Sequence, residues 1–498
     1  SIVNTTERGK AVKIRFREAI NSRDVLDFHI YMSPYDVWTA AVTATEAGGA
    51  KMVTNDTTCT VPYIYGDDGE QEFLDFDYAT EKDTATKVTS TLDGGPTGIE
   101  RTASGYIEVI EMGTMIAQPS ESPQTTAGAV KTGKAAEYVP FAAKHVKGVP
   151  NDCGALVNAW TKNLTKGNLA AAWFDDEKTG FDTTDHGFSG GLFGSASIIN
   201  VAEGTMFSYN ATAIEGFFKA SNVDHEEPGK ITPNLNTRGD VQTSYVFEGG
   251  NNVTEDSWST AAGSDTGFGA MLALNAVITN DKLMNEYVTD ATVGARTEWV
   301  VTFPTKSFHT DEGPVAPFTE AWTLSAKNGS AACEDVSFTF YDREEQGAAT
   351  VTSTPVPPVV SPAPQVPDAP AELFSICREA NVIRFASDDS YPDASEILKE
   401  PKRADTALGY NNFELEYSEG WLSMDLASIP EDSDAYSATS SKFRVSVESD
   451  DGSYYRGLPV VGFSVNTYSN GNIGDGVLSN YGGTFQHRTS RQVTTSSF

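Results

Sequence analysis

The chain carries little basic charge and has no long apolar run, and both absences restrict its function. Its 498 residues contain 35 Lys and Arg against 69 Asp and Glu, which gives a formal net charge of -34. This charge repels the phosphates of nucleic acids and the headgroups of anionic lipids. No stretch approaches the ~20 consecutive apolar residues of a membrane-spanning helix. We therefore expect no nucleic-acid partner and no transmembrane segment.

Cysteine is also scarce. The four cysteines are Cys59, Cys153, Cys333 and Cys377, and none has the two-residue spacing of zinc and redox sites. Four cysteines allow three pairings, of which Cys59–Cys153 with Cys333–Cys377 is the simplest. Four buried free thiols are the alternative. The start of the chain lacks a signal-peptide pattern, which fits either a cytosolic protein or the mature or clipped form of an exported one. Disulfides favour export, so we predict an extracellular or cell-surface location.

Alternating apolar and polar residues indicate a mainly β protein. Over residues 11–17, Val12, Ile14 and Phe16 alternate with three basic residues, Lys13, Arg15 and Arg17, as in a half-buried strand. We expect this basic face to meet acidic loops, and residues 1–16 to pair with later sequence or with another subunit. Further strands are predicted at 25–31, 37–43, 61–65, 106–112, 195–202, 245–247, 298–303, 336–341, 443–447 and 458–465.

Two helical insertions and one proline-rich segment interrupt the strand pattern. Helical spacing covers residues 135–163, where Pro140 interrupts the first helical pattern and Asp152 is the expected N-cap of the second. Helical spacing also covers residues 269–287, with a break near 280–281. Prolines are dense in residues 352–370, which predicts an extended linker. The predicted architecture is an antiparallel β-sandwich body, Ig-like or jelly-roll-like, at 1–351 with short helical insertions around 135–163 and 269–287. A smaller C-terminal β domain is predicted at 371–498.

One motif resembles that of a serine hydrolase. Residues 187–191, Gly-Phe-Ser-Gly-Gly, match the G-x-S-x-G pattern of a nucleophile elbow around Ser189. That elbow needs a strand before the serine and a helix after it. Here a polar run precedes Ser189 and strand-like sequence follows it. A glycine loop entering a strand is the better interpretation, and we predict no catalytic residues.

An acidic segment is the candidate cation site. Asp67, Asp68, Glu70, Asp75 and Asp77 lie close together around a glycine turn and could hold Ca²⁺, which binds six to eight oxygen atoms. A solvated acidic loop is the alternative. His225, followed by two glutamates, is expected to be a solvated loop residue. Most of the seven tryptophans should lie in the core. A sugar-binding platform would require two or three aromatic side chains to converge.

Segments spread over most of the chain resemble a family of uncharacterised exported or cell-surface proteins of Gram-negative bacteria. The segments that carry this resemblance are residues 1–6, 11–16, 26–38, 105–112, 190–210, 285–287, 297–306, 341–345 and 457–483. The resemblance implies export and surface display. It implies no reaction and no catalytic residues.

These observations predict a non-enzymatic structural protein that assembles itself into a surface layer or an extracellular filament. The partner is then a second copy, joined through unpaired β-strand edges. An adhesin or glycan-binding surface protein is the alternative, with loops at one end of a sandwich contacting surface glycans. A secreted hydrolase that uses Ser189 or a carboxylate pair is the third possibility.

Overall fold

The structure is a computed structural model. It describes residues 1–64, 68–75, 80–82, 89–91, 98–116, 138–160, 173, 178, 180–183, 187–218, 223–236, 243–249, 252–258, 269–310, 315–320, 332–344, 374–387, 397–399, 412–431, 433, 442–472, 474 and 478–495. The described residues are mainly β: 49% of them lie in strands and 11% in helices, and the strands form several antiparallel sheets, none of them closed.

The described strands begin with β1 Ile2–Asn4, β2 Gly9–Glu18, β3 Asp24–Met32, β4 Val37–Trp38, β5 Ala41–Ala44, β6 Ala50–Val53, β7 Cys59–Val61, β8 Glu70–Glu72, β9 Thr80–Lys82, β10 Thr89–Thr91 and β11 Gly105–Met115. They continue with β12 His145–Val146, β13 Val149–Pro150, β14 Leu192–Asn200, β15 Thr205–Asn210, β16 Thr243–Gly249, β17 Asn252–Ser257, β18 Thr279–Asn280, β19 Lys282–Val288, β20 Ala295–Thr302 and β21 Glu334–Asp342. The last are β22 Phe374–Ile376, β23 Ala380–Ala386, β24 Asn412–Glu414, β25 Glu419–Asp425, β26 Tyr454–Arg456, β27 Leu458–Pro459, β28 Val461–Asn472, β29 Leu478–Gln486, β30 Arg488–Ser490 and β31 Gln492–Thr494.

The described helices are short. They are α1 Tyr138–Ala143, α2 Cys153–Asn158, α3 Gly269–Ile278 and α4 Lys306–Thr310, with 3₁₀ turns at Ile99–Ala103 and Ala291–Val293. None of these helices is long and apolar enough to cross a membrane. Asp152 caps α2 as predicted, because its side chain accepts a hydrogen bond from the Ala155 amide. The helix predicted at 269–287 is wrong in its second half, since the chain after the predicted break forms β18 and β19.

The N-terminal strands pair with later strands of the same chain, one of the two outcomes expected for them. Strand β1 lies between β14 and β4, and β2 lies between β11 and β3, all antiparallel. One face of β2 packs into an apolar core through Val12, Ile14 and Phe16, together with the β3 residues Phe28 and Ile30. The alternation predicted at residues 11–17 is therefore present in the structure.

The basic face of β2 is buried, so the prediction of a half-buried strand is wrong. Residues 230–233 lie against this face, and Lys13 Nζ donates to the Thr232 carbonyl oxygen at 2.9 Å. Arg15 Nη2 is 2.5 Å from an Asp24 carboxylate oxygen, and Arg17 Nε is 3.2 Å from Glu108. The acidic partners therefore lie on β3 and β11 rather than in loops. Their short contacts compensate for the loss of hydration.

Strands from both sides of the predicted linker share two five-stranded sheets. The first has the order β22–β21–β25–β19–β30, and the second has the order β24–β23–β20–β28–β29. Pairing in the second sheet is antiparallel except between β23 and β24. Their facing residues form one core that contains Trp299 and Phe385 from one sheet with Phe338 and Leu422 from the other. Residues 352–370 lie outside the described residues, but strands from before and after that segment pair within the same two sheets.

Both predicted disulfides are confirmed. Cys59 is bonded to Cys153 and Cys333 to Cys377, and the described residues contain no free cysteine. The first disulfide connects β7 with the start of α2. The second packs against Ile20, which follows β2. The first disulfide therefore joins two segments outside the two five-stranded sheets, whereas the second joins the ends of the neighbouring strands β21 and β22 within one of them.

Several strand boundaries differ from their predictions. The strand predicted at 37–43 is divided into β4 and β5, which belong to different sheets. Strand β7 ends at Val61, where the predicted strand begins. Residues 443–447 form only isolated bridges at Phe443 and Val445. The apolar run at 458–465 is divided between β27 and β28, because consecutive apolar residues can be buried without staying in one sheet.

Candidate functional site

A cleft opens where the two five-stranded sheets end beside each other. Its volume is about 620 Å³. Its lining comes from β19 and β25, from the end of β21 and the residue after it, and from β28: Glu286, Tyr287, Val288, Tyr341, Asp342, Arg343, Gly420, Trp421, Asn466 and Tyr468. We call this set the aromatic groove, because four of its ten residues are Tyr or Trp. Concave sites of this size with a few converging polar groups are typical of ligand pockets.

Strand register determines which side chains meet in the aromatic groove. Across β21, β25 and β19, Tyr341, Trp421 and Glu286 are direct neighbours, so they share the outer face of the first sheet. One residue along, Asp342, Gly420 and Tyr287 form the equivalent row on the inner face. The groove therefore takes residues from both faces at the end of this sheet.

Gly420 makes this geometry possible. A Cβ atom at this position would lie 1.8 Å from the Tyr341 carbonyl oxygen, which is far inside van der Waals contact. Glycine in a strand interior often marks a close approach of another backbone, as it does here.

Trp421 provides an exposed aromatic surface. It is 41% exposed, whereas the other described tryptophans are buried. Its ring stacks on that of Tyr341, with centroids 4.7 Å apart and planes 17° from parallel. Stacking on a cross-strand neighbour restricts the rotation of the indole, so this apolar surface is held in place while it faces water.

Tyr287 brings a buried hydroxyl to the groove. Its side chain is only 2% exposed, and its Oη has no hydrogen-bond partner among the described residues. Burial, followed by the nearby Asp342 carboxylate, raises the pKa of Tyr287 above its usual value, so the hydroxyl stays protonated. A buried polar group without a partner is costly, and a ligand that bonded to it would remove this cost.

Charged and amide groups complete the lining. Glu286 and Asp342 supply carboxylates, and Arg343 is held at 2.6 Å from Glu419 by an ion pair. Asn466 accepts a hydrogen bond from Thr297 through Oδ1 at 2.9 Å, which fixes the amide and leaves Nδ2 as a donor for a ligand. The groove thus offers donors and acceptors around an aromatic surface.

Ser189 does not have the surroundings of an elbow serine. The loop at 187–191 leads into strand β14, as expected for a glycine loop entering a strand. Ser189 Oγ lies 2.6 Å from Lys10 Nζ, and that ammonium also bonds to Glu111 at 2.7 Å. The backbone amides of Ser189 and Gly190 both donate to the Glu111 carboxylate. Lys10 and Glu111 therefore hold the Ser189 loop against strands β2 and β11.

The candidate calcium loop is described only in part, because Asp67 and Asp77 lie outside the described residues. Asp68 adopts a left-handed backbone with φ of 70°, Glu70 pairs with Lys51 at 2.5 Å, and Asp75 is exposed. Within the described ranges, no three His, Cys, Asp or Glu side chains form a group that could hold a metal ion. The calcium site remains a prediction.

The expectation that His225 is solvated is wrong. Its side chain is buried and its Nε2 lies 2.8 Å from the Tyr31 hydroxyl. Trp160, Trp173 and Phe181 surround the ring, with centroids 4.3–4.9 Å away. Two glutamates follow His225 in the sequence, but the aromatic residues that bury it come from distant positions, so its local sequence does not indicate burial.

Comparisons with known proteins find no match. No protein-family model, no curated protein and no solved structure matches this chain. The resemblance to an exported bacterial family is therefore still a prediction, and the candidate site rests on its own geometry.

The aromatic groove was not identified by sequence analysis. Its residues come from four separate segments, near 287, 342, 420 and 467. The signals that could have located it are weak: a tryptophan directly after a glycine at 420–421, and tyrosines next to carboxylates at 286–287 and 341–342.

Proposed function

We propose that this protein is a saccharide-binding protein and that the aromatic groove is its binding site. The observation that carries the proposal is the exposed, stacked Trp421 in the same cleft as the buried hydroxyl of Tyr287, which has no hydrogen-bond partner among the described residues. This proposal adopts the adhesin or glycan-binding alternative of the sequence analysis. The binding site, however, lies at the five-stranded sheets in the body of the protein and not on loops at one end of a sandwich.

The chemistry of a pyranose sugar fits these groups. Its ring has an apolar face of C–H groups, which packs on an aromatic surface such as that of Trp421. Its hydroxyls both donate and accept hydrogen bonds, so they can satisfy Tyr287 Oη and the amide of Asn466 as well as carboxylates. A purely apolar ligand would leave these polar groups unpaired, at a cost in affinity.

The charge of the groove favours neutral sugars. Glu286 and Asp342 line it, and Glu416 and Glu419 lie close enough to affect Tyr287. Arg343 is the only basic residue of the lining and is paired with Glu419. Uronic acids or sulfated sugars would meet this negative charge, in addition to the net charge of -34 on the chain.

A glycan array tests this proposal, followed by calorimetric titration of the neutral sugars that bind. The variant Trp421→Ala should lose binding, and Tyr287→Phe should weaken it about tenfold, because it removes only the hydroxyl. Phe247→Ala is the matched control, since Phe247 is also an exposed aromatic residue but lies on β16, outside the groove. Neutral-sugar binding that survives Trp421→Ala would refute the groove as the site.

We also propose an extracellular or cell-surface location and a sandwich arrangement of the two five-stranded sheets. The support for export is the pair of disulfides, which persist in oxidising compartments. The support for the sandwich is the core shared by the facing residues of the two sheets. Export can be tested by locating the protein in fractionated cells and by thiol titration of the native chain.

Self-association into a layer or filament is the second candidate function, and one feature favours it. Strands β16 and β17 form a ribbon that has no third strand among the described residues. Its outward face carries Tyr245, Val253 and Phe247, the last 70% exposed. An exposed aromatic ribbon without a third strand among the described residues is a surface to which another strand can add.

Sedimentation velocity over a range of protein concentrations tests this second function. The double variant Tyr245→Ser with Phe247→Ser should reduce association, while Ile199→Ser, at an exposed position on a different hairpin, should not. A wild-type protein that remains monomeric at every concentration would refute it.

A further inference from the structure

Exposed aromatic side chains continue beyond the aromatic groove along β28 and β29. Tyr468 lines the groove, and its direct cross-strand neighbour on β29 is Tyr481, which is 59% exposed. Phe485, four residues further along β29, is 52% exposed. Residues two apart in a strand share a face, so Tyr481, Gly483 and Phe485 point to the same side as Asn466 and Tyr468.

The opposite face of the same two strands is covered. Strand β15 packs there: Thr484 Oγ1 donates to the Ser208 carbonyl oxygen, and Phe207 packs against Val465. A Cβ atom on Gly482 would lie 2.1 Å from the Phe207 ring. Tyr481 and Phe485 are therefore exposed on one defined face, which continues the lining of the groove.

We propose that the binding site extends along β28 and β29 and that its ligand is a linear neutral oligosaccharide rather than a single sugar. Four residues of an extended strand span about 13 Å between Cα atoms, which is longer than one pyranose ring, so a ligand that follows this strand from the groove past Phe485 must contain several sugar units. Gly483 stands between them, and the Phe485 ring leans over it, 3.4 Å from the place where a Cβ atom would lie. This inference rests on the proposed function of the groove.

The pattern of polar groups supports a sugar chain in this extension. The Tyr481 hydroxyl is within 2.7 Å of Ser479 Oγ, which orients it while both oxygens can still accept another hydrogen bond. Across the strand pair, Asn466 lies opposite Gly483. Aromatic surfaces alternate with polar groups along the path, matching the alternation of apolar ring faces and hydroxyls along a pyranose chain.

The test is the dependence of affinity on chain length. Wild-type protein and variants are titrated calorimetrically with β-1,4-linked glucose oligomers and β-1,4-linked N-acetylglucosamine oligomers of one to six units. These sugars present flat, all-equatorial rings suited to aromatic surfaces. Wild-type affinity should rise with chain length and then level off. Phe485→Ala and Tyr481→Ala should lower the affinity for long oligomers about three- to tenfold each and leave the shortest binding oligomer unchanged.

The controls separate the two proposals. Trp421→Ala should remove binding of every length, and Phe247→Ala should change none. Affinity that is independent of length, or a length dependence that survives Phe485→Ala and Tyr481→Ala, would overturn the extended site while the groove proposal stands. Binding of neither oligomer series would overturn the extended site and, if the array also shows no neutral sugar, the groove proposal with it.

Discussion

Two buried histidines should make this protein lose stability in mild acid. His309 and His487 are each held by a backbone carbonyl and an asparagine amide. His309 donates from Nδ1 to the Val315 carbonyl oxygen at 3.1 Å, and its Nε2 accepts from Asn275 Nδ2 at 2.7 Å. His487 donates from Nε2 to the Val300 carbonyl oxygen at 3.0 Å, and its Nδ1 accepts from Asn285 Nδ2 at 2.7 Å. Both arrangements need a neutral ring.

The magnitude follows from the pKa values. Burial lowers the pKa of His309 and of His487 from 6.5 to about 4. Because the folded pKa lies below the unfolded pKa, the stabilisation is complete above pH 6.5 and is lost as the pH falls from 6.5 to 4. A difference of this size corresponds to about 3 kcal/mol for each histidine, or about 6 kcal/mol for both. This is a large part of the total stability of an ordinary domain.

Urea denaturation at a series of pH values from 8.5 to 4 measures this effect. The double variant His309→Asn with His487→Gln keeps a neutral donor near each carbonyl and removes both titrating groups. It should be less stable than wild type at pH 8, but its stability should fall about 6 kcal/mol less between pH 6.5 and 4. Carboxylate protonation affects both proteins alike and cancels in the comparison.

Two results would refute the reasoning. Parallel stability curves for wild type and variant between pH 6.5 and 4 would mean that the two rings are not held neutral. A difference that changes between pH 7 and 8.5 would mean that some other group is titrating, because neither histidine changes its charge in that range.

Three further perturbations follow from the packing. Replacing Cys59 and Cys153 by serine should cost about 4.7 kcal/mol of unfolding free energy under oxidising conditions, since their disulfide closes a loop of 94 residues; after full reduction, which also opens Cys333–Cys377, variant and wild type should denature alike. Glu334→Gln should cost about 3–5 kcal/mol, because it leaves the buried Arg444 guanidinium, now 2.7 Å from Glu334, without its counter-charge; unchanged stability would contradict this. Gly420→Ala should lower the free energy of unfolding by about 1–3 kcal/mol and abolish saccharide binding. The control Gly154→Ala lies in helix α2, where a Cβ atom has space, and should leave binding unchanged and stability unchanged or raised.

Local patterns in the sequence predicted local structure well. The alternation at residues 11–17 lies within β2, Asp152 caps α2, and the two disulfides join the expected cysteines. Each of these features depends on neighbouring residues or on a small set of possible pairings. The disulfide pairing could be chosen because four cysteines leave only three alternatives.

Predictions failed where the decisive contact comes from a distant segment. Lys13 alternates with apolar residues as an exposed lysine would, yet residues 230–232 bury it and accept its hydrogen bonds. The sequence pattern predicts that a helix resumes after the break at 280–281, but these residues form β19, which pairs with β25 on one side and β30 on the other. Pairing of strands more than a hundred residues apart outweighs helix propensity there.

The aromatic groove is the strongest case of this dependence on distant pairing. Trp421 becomes a neighbour of Tyr341 and Glu286 only through the register of β25 with β21 and β19. A shift of one residue would turn Trp421 into the core and place Gly420 on the outer face. The register is fixed by the apolar residues Leu422 and Met424, which must face the core, and by the close approach of Gly420 to Tyr341. The core of the two sheets thereby determines which aromatic ring is presented to a ligand, so substitutions that disturb the packing of β25 should impair saccharide binding without touching the groove.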